Sequence, residues 1–391
     1  MAVLRKGQVR NLALATAAFA VTFWAWNLIG PLSGSYSRQL HLSPTQTSLL
    51  VAIPVLVGSL GRIPVGVLAD RLGGRRMFAI ICFVSIVPVL LVGLSSSYGW
   101  LLFWGFLLGI PGTSFAIGIP FVNAWYEPAR RGFATGVFGA GMGGTALSSF
   151  FTPRLVEDFG RFPTHLLMAA VLALMGVIMI GGSRDSPAWS PATAPALPRM
   201  REATKIRATW QCAFLYAVTF GGFVAFSTYL PTLLQNVYHF AQTGAGLRAA
   251  GFSIAAVAAR PAGGTLSDRI GPVKVLLISL AGTVVMAVAL SFRPPAEVPA
   301  GVCFVLIAGF LGLGTGGVFA LVAKLVEASK VGTVTGLVGA AGGLGGYFPP
   351  LVMGAVYGAS GSYTVGYLLL ALTALVALLY TVRAFRHVPE R

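Results

Sequence analysis

Residues 61–73 read GRIPVGVLADRLG, and residues 259–271 read ARPAGGTLSDRIG. The two stretches align without a gap at an offset of 198 residues. Arg62 falls on Arg260, Gly66 on Gly264, Leu68 on Leu266, Asp70 on Asp268, Arg71 on Arg269 and Gly73 on Gly271. A second pair lies at an offset of 200. GFATGVFGAGMGG (132–144) matches GTVTGLVGAAGGL (332–344) at Gly132/Gly332, Thr135/Thr335, Gly136/Gly336, Gly139/Gly339, Ala140/Ala340 and Gly143/Gly343. Two long-range matches in the same order and at almost the same offset mean that one unit has been used twice.

The unit is apolar. Of the 391 residues, 56% are hydrophobic and 9% charged, with a mean hydropathy of +0.82; a soluble chain carries about 25% charged residues. Twelve apolar runs follow one another, at roughly 11–34, 45–69, 77–95, 99–123, 132–155, 164–182, 209–236, 245–267, 273–292, 299–323, 332–357 and 363–384. Each is near or above the ~20 residues that a membrane-crossing helix needs. The first follows Arg5, Lys6 and Arg10, as in a signal peptide, but its run is too long for a signal core and is read as a retained helix. The stretch 183–208 is the one long polar connection. It contains Pro187, Pro191, Pro195 and Pro198, and nothing in it suggests a folded domain. The expected organisation is an all-α membrane protein: a six-helix bundle over 1–182, a cytoplasmic linker over 183–208 and a second six-helix bundle over 209–391. The halves share one orientation and are related by an axis along the membrane normal.

A net charge of +17 would suggest nucleic acid in a soluble protein. Its distribution here says otherwise. Twenty of the 27 Lys and Arg residues fall in the connections on one side of the membrane, and five (Arg38, Arg154, Arg161, Arg248 and Arg293) on the other. The positive-inside rule then places both termini in the cytoplasm, with the cell (inner) membrane as the expected location and the lipid bilayer, not nucleic acid, as partner. Cys82, Cys212 and Cys303 share no short spacing, and His41, His165, His239 and His387 sit near span ends. No metal site, disulfide framework or cofactor is expected from them.

Two basic residues remain, Arg62 and Arg260, and both fall within apolar runs. If Asp70 marks the membrane interface, Arg62 lies eight residues deeper, or ~12 Å at 1.5 Å per residue, close to the middle of a ~30 Å hydrocarbon core. The repeat gives Arg260 the same depth. A charge there costs at least ~2.5–3.5 kcal/mol and usually faces a cavity or a substrate path. All ten acidic residues fall in connections or at span ends, so no span centre offers a fixed carboxylate. The natural partner is a mobile anion; the alternative is satisfaction by backbone carbonyls and water. With no Asp, Glu or His at mid-membrane, a proton relay has no obvious part. Two empty guanidiniums repel each other, which disfavours return of an unloaded carrier. The expectation is one-for-one exchange of monoanions, with proton-coupled symport as the alternative. An enzyme is not expected, because no nucleophile, metal site or acid/base pair lies at membrane depth.

The G-x-L-x-D-R-x-G ending of the second and eighth spans resembles the loop motif of the major facilitator superfamily. That resemblance implies a conformational latch made by Asp70, Arg71, Asp268 and Arg269. More narrowly, the chain resembles the NarK-type nitrate/nitrite porters of that superfamily. The likeness rests on Arg62 with IPVGVLADRLGGRR, on Arg260 within ARPAGGTLSD, on LYAVTFGGFVAFS (215–227) and on TGLVGAAGGLGGYFPP (335–350). It implies that Arg62 and Arg260 clamp a small inorganic anion from opposite halves, and that Tyr216, Phe220 and Phe115 line the site. It implies a monomer, the superfamily default. A guanidinium suits such an ion because its donors are coplanar. Gly136, Gly139, Gly143, Gly336, Gly339 and Gly343 are expected to let helices pack closely and slide during gating. The chain departs from the family at one place: where the porters carry an asparagine in the span-five glycine motif, this sequence has Gly143 or Gly144. Cyanate, formate or another small carboxylate therefore stand as alternative substrates.

Overall fold

The structure, a computed structural model, describes residues 2–127, 130–192, 195–327 and 330–386. His387, Glu390 and Arg391 lie outside the described residues, and of Arg5 and Lys6 only the backbone is described. Among the described residues all regular structure is helical. Span one is Gly7–Leu40, span two Pro44–Leu72, span three Gly74–Leu94 and span four Tyr98–Asn123. Span five runs as Arg131–Gly139, a 3₁₀ turn Ala140–Gly143 and Gly144–Phe159; span six is Arg161–Gly182. The second half repeats the series as span seven (Arg207–Tyr238), eight (Gln242–Ile270), nine (Pro272–Ser291), ten (Gly301–Leu325), eleven (Val331–Gly345 and Phe348–Ser360) and twelve (Thr364–Ala384).

Nine of these helices are long and apolar enough by themselves to cross a membrane. Spans five, eight and eleven are the other three. Their apolar character is diluted by glycine, by Arg248 and Arg260 in span eight, and by the breaks in spans five and eleven. Within the polar connection, Ala196–Lys205 is helical. It starts directly after Pro195, and eight of its ten residues are strong helix formers.

The repeat extends to the turns. Gly73 and Gly271 end spans two and eight at φ +86° and +90°, a region that side chains other than hydrogen avoid. His41 and His239, also 198 apart, close spans one and seven in the left-handed region (φ 49° and 55°). Span two opens with a capping box: Ser43 Oγ accepts from the Gln46 amide, and Gln46 Oε1 accepts from the Ser43 amide.

The end where span one begins and the linker lies is called here the basic end. The two halves meet elsewhere. Among the described residues, every side-chain hydrogen bond between them lies at the level of Arg62 and Arg260 or towards the far end. The outer pieces of spans five and eleven pack closely on spans eight and two, whereas Arg131–Gly139 of span five touches span eight sparsely and Val331–Gly345 of span eleven touches Arg62–Leu72 less than it touches Pro44–Leu60. The molecule is closed at the far end and open at the basic end.

Candidate functional site

Both interior arginines sit beside a proline that interrupts helix hydrogen bonding. Pro64 follows the break between Pro44–Leu60 and Arg62–Leu72, and Pro261 follows Arg260 directly. Both side chains are buried, Arg62 at 3% exposed and Arg260 at 6%. Neither has a carboxylate within ion-pair distance among the described residues. Every described acidic residue lies in a connection, in the linker or at a helix end, so the acid census of the sequence holds in three dimensions.

Each arginine instead reaches across to the glycine motif of the opposite half. Nη1 of Arg62 donates to the carbonyl of Gly339 in span eleven at 2.7 Å. Nη1 of Arg260 meets the sulfur of Met142 in span five, and a Cβ on Gly139, the repeat mate of Gly339, would lie 3.6 Å from the Arg260 guanidinium carbon. The carbonyl alternative is therefore realised in part: one donor of Arg62 is so satisfied, but its Nε is buried with no hydrogen-bond partner. The hydroxyl of Tyr216, in the same cluster, is also buried; the Arg260 guanidinium lies beside it, but it makes no hydrogen bond of good geometry. Buried orphan groups are uncommon because each costs about 1–3 kcal/mol.

Aromatic rings fill the space around the guanidiniums. The Arg62 guanidinium carbon is 5.0 Å from the centre of Phe115 and 5.3 Å from that of Phe220. That of Arg260 is 5.6 Å from Phe115 and 5.7 Å from Phe319. These distances allow cation–π attraction. Tyr216 and Phe220 stack in parallel at 4.8 Å, and Phe115 faces Phe220 at 6.2 Å and 24°. The five residues singled out from the sequence thus converge. Phe319, which packs on Tyr216 at 4.7 Å, and Met142 escaped that reading. A signal for Phe319 existed: GTSFAIG (112–118) has an echo in GTGGVFA (314–320), with the ring displaced by two residues. Another echo, FAVTF (19–23) against YAVTF (216–220), shows that the first half has phenylalanine where the second has the hydroxyl-bearing ring.

The six motif glycines divide. Gly343 packs on Ser59 of span two, where a Cβ would come within 2.3 Å of Oγ. Gly139 and Gly339 border the arginines and Phe115. Gly136, Gly143 and Gly336 have no atom within 4 Å of a built Cβ, so in this conformation they pack against nothing. Close packing falls instead to neighbours such as Gly342, which lies on the Tyr216 ring, and Gly144, which lies on the Ala20 carbonyl. Of the loop-motif acids, Asp70 is 3.7 Å from Arg199 of the linker helix, with both side chains more than 40% exposed; such a pair contributes little by itself. Asp268 and Arg269 occupy the same place in the last turn of span eight.

The Major Facilitator Superfamily profile matches residues 15–317 and 212–391. The chain is 57% identical over 380 residues to a "Probable nitrate/nitrite transporter NarK2" of Mycobacterium tuberculosis, covering 96% of each chain. It is 34% identical over 376 residues to a "Nitrite extrusion protein" of Bacillus subtilis, with 94% of this chain and 92% of the relative covered. A "Probable nitrate/nitrite antiporter NarK1" of Thermus thermophilus is 34% identical over 377 residues, with 89% and 85% covered. In fold, the chain is similar to the crystal structure of a bacterial homologue of the human lysosomal transporter Spinster in an inward-facing, occupied conformation. The TM-score is 0.72 at 18% identity, over 96% of both chains.

Proposed function

This chain belongs to the major facilitator superfamily and, within it, to the NarK-type family, and from that premise we propose that it exchanges nitrate and nitrite across the cell membrane by alternating access. The anion is clamped between Arg62 and Arg260. The observation that carries this reading is the pair of buried guanidiniums without a carboxylate, beside two orphan polar atoms, Nε of Arg62 and the hydroxyl of Tyr216. A small oxyanion supplies the acceptors that these donors lack, and its charge offsets their mutual repulsion.

The rings suit a flat ion. Two carbon–ligand spacings of 3.5–4.0 Å need about 7 Å between ring planes. Phe115 and Phe220 stand 6.2 Å apart by centroids, so a shift of roughly 1 Å admits a planar anion. Arg62 then exchanges its bond to the Gly339 carbonyl for one to the ion. That exchange releases span eleven from span two at the depth of the site, where a rocking motion of the halves needs freedom. The basic end faces the cytoplasm in this reading, and the chain acts as a monomer. Asp70, Arg71, Asp268 and Arg269 secure the basic end when it closes.

The names of the relatives support nitrate and nitrite as the ions, and that of the Thermus relative supports exchange. The test is counterflow in proteoliposomes. Vesicles loaded with nitrite should take up labelled nitrate, empty vesicles should not, and a pH gradient should not change either result. Uptake into empty vesicles that follows the pH gradient would make the carrier a proton symporter. Absence of nitrate movement, with uptake of cyanate or formate, would move the substrate to another small anion.

A further inference from the structure

The far end, where the halves meet, is sealed by neutral groups. Ser33 of span one shares a hydrogen bond with Thr232 of span seven at 2.6 Å, and Ser35 bonds Gln242 of span eight. Ser48 of span two meets the hydroxyl of Tyr229 in span seven at 3.1 Å. Tyr229 meets Tyr363 at 3.0 Å, and the Asn236 amide donates to Tyr363 at 2.9 Å. Ser48 also lies 2.8 Å from the Pro44 carbonyl of its own helix. The backbones approach closely: a Cβ on Gly30 would lie 2.5 Å from the Thr228 carbonyl, and one on Gly354 would overlap Ser48. Among the described residues no ion pair joins the halves here.

The crossing bond runs from the first half to the second. Ser48 Oγ donates to the Tyr229 hydroxyl and also lies within hydrogen-bond distance of the Pro44 carbonyl of its own helix. Tyr229 shares a hydrogen bond with Tyr363, and the Asn236 amide donates to Tyr363. Asn236, Tyr363 and Tyr229 belong to the second half, and Ser48 and Pro44 to the first. A single bond in the chain, from Ser48 to Tyr229, crosses between them. When the halves part, Ser48 keeps Pro44, Tyr229 keeps Tyr363, and water can replace Ser48 at the Tyr229 hydroxyl.

We propose that this hydroxyl chain is the catch of the far gate, with Ser48 as its crossing donor and Ser33–Thr232 as a second catch. The proposal rests on the alternating-access reading. It makes the gate cheap to open and independent of fixed charge, so that the loaded site, not the gate, decides when the halves move.

Removing the donor deletes the crossing bond, which only the closed gate makes. Ser48→Ala should therefore favour the open far end, by about 2–10-fold in population. Nitroxide labels at His41→Cys and His239→Cys, both on the exposed far surface, read this by double electron–electron resonance without any substrate. The background carries serine or alanine at Cys82, Cys212 and Cys303. The long-distance population should rise in Ser48→Ala and stay unchanged in Thr47→Ala, whose hydroxyl bonds only within its own helix end. An unchanged distribution in Ser48→Ala overturns the proposal. A second variant guards against misfolding. Ser33→Cys/Thr232→Cys, oxidised, should stop counterflow and recover with reductant; counterflow that continues with the disulfide formed also overturns it. If the distance shift appears while the parent protein moves no nitrate, the gate stands and the nitrate reading falls.

Discussion

Arg62 and Arg260 occupy equivalent positions but do unequal work. Arg62 holds a backbone carbonyl of the opposite half, whereas Arg260 faces a thioether, a weak acceptor. Their burial and their lack of acidic partners were legible in the sequence, because counting ten acids and locating each requires no coordinates. The Gly339 carbonyl was not legible, since every residue has one and only the crossing of two spans selects it. Lysine at either position keeps the charge but loses the planar fork. Arg62→Lys and Arg260→Lys should each lower counterflow efficiency by roughly 10–100-fold, the loss of a charge-assisted bond of about 1.5–3 kcal/mol; near-normal uptake in either would remove the clamp. Tyr216→Phe should raise the half-saturating anion concentration about 3–10-fold, with the thermal midpoint little changed, because the hydroxyl makes no hydrogen bond of good geometry within the protein. The glycine pair gives a sharper contrast. Gly143→Ala enters open space and should leave uptake near normal, whereas Gly343→Ala drives a methyl into Ser59 and should abolish most of it. Equal effects in the two variants would contradict the asymmetry of the site.

At the scale of elements, hydropathy and the repeat support each other. Spans five, eight and eleven do not reach the length and apolarity that identify a crossing helix by themselves. They were legible as apolar runs in the sequence, and the match of 132–144 with 332–344 and of 259–271 with the end of span two agrees with that reading. Their weaker apolarity has a physical reason. These spans line the interface between the halves, where glycine and arginine displace the leucine and valine that a lipid-facing helix would carry. The breaks in them were hidden, as was the linker helix, because helix ends near glycine depend on packing that a local reading does not contain. The turns that end spans two and eight make a prediction at this scale. Both glycines have a φ near +90°, which alanine adopts at a cost of about 1–3 kcal/mol. Gly73 has a second constraint, because a Cβ there would lie 2.7 Å from the Asp185 carboxylate, whose Oδ1 accepts from the Arg75 amide at the start of span three. Gly73→Ala should therefore lower the thermal midpoint of the detergent-solubilised protein, and Gly73→Ala with Asp185→Gly should recover part of the loss. No recovery would mean that backbone strain alone sets the cost.

For the whole molecule, the unequal ends and the paired guanidiniums bear on energetics together. The far end is closed by hydroxyls and close backbones, the basic end is open, and the two interior charges lie between. A site bearing two positive charges moves with the halves when they rock. If it carries one monoanion in each direction, the charge moved inward with one ion is cancelled by the charge moved outward with the next, and the cycle is electrically silent. If the carrier instead returned empty, each cycle would move a net charge, and an imposed potential of 100 mV would bias the accumulation by ~2.3 kcal/mol, a factor of nearly 50. Potassium diffusion potentials set with valinomycin in proteoliposomes separate these cases. Exchange predicts the same rate and the same final distribution of labelled nitrate at +100, 0 and −100 mV, provided that nitrite is present on the opposite side. A distribution that follows the potential would show that the unloaded carrier crosses. The repulsion between Arg62 and Arg260 would then have to be relieved by internal acceptors such as the Gly339 carbonyl, making that bond a stand-in for the anion instead of a bond that the anion displaces.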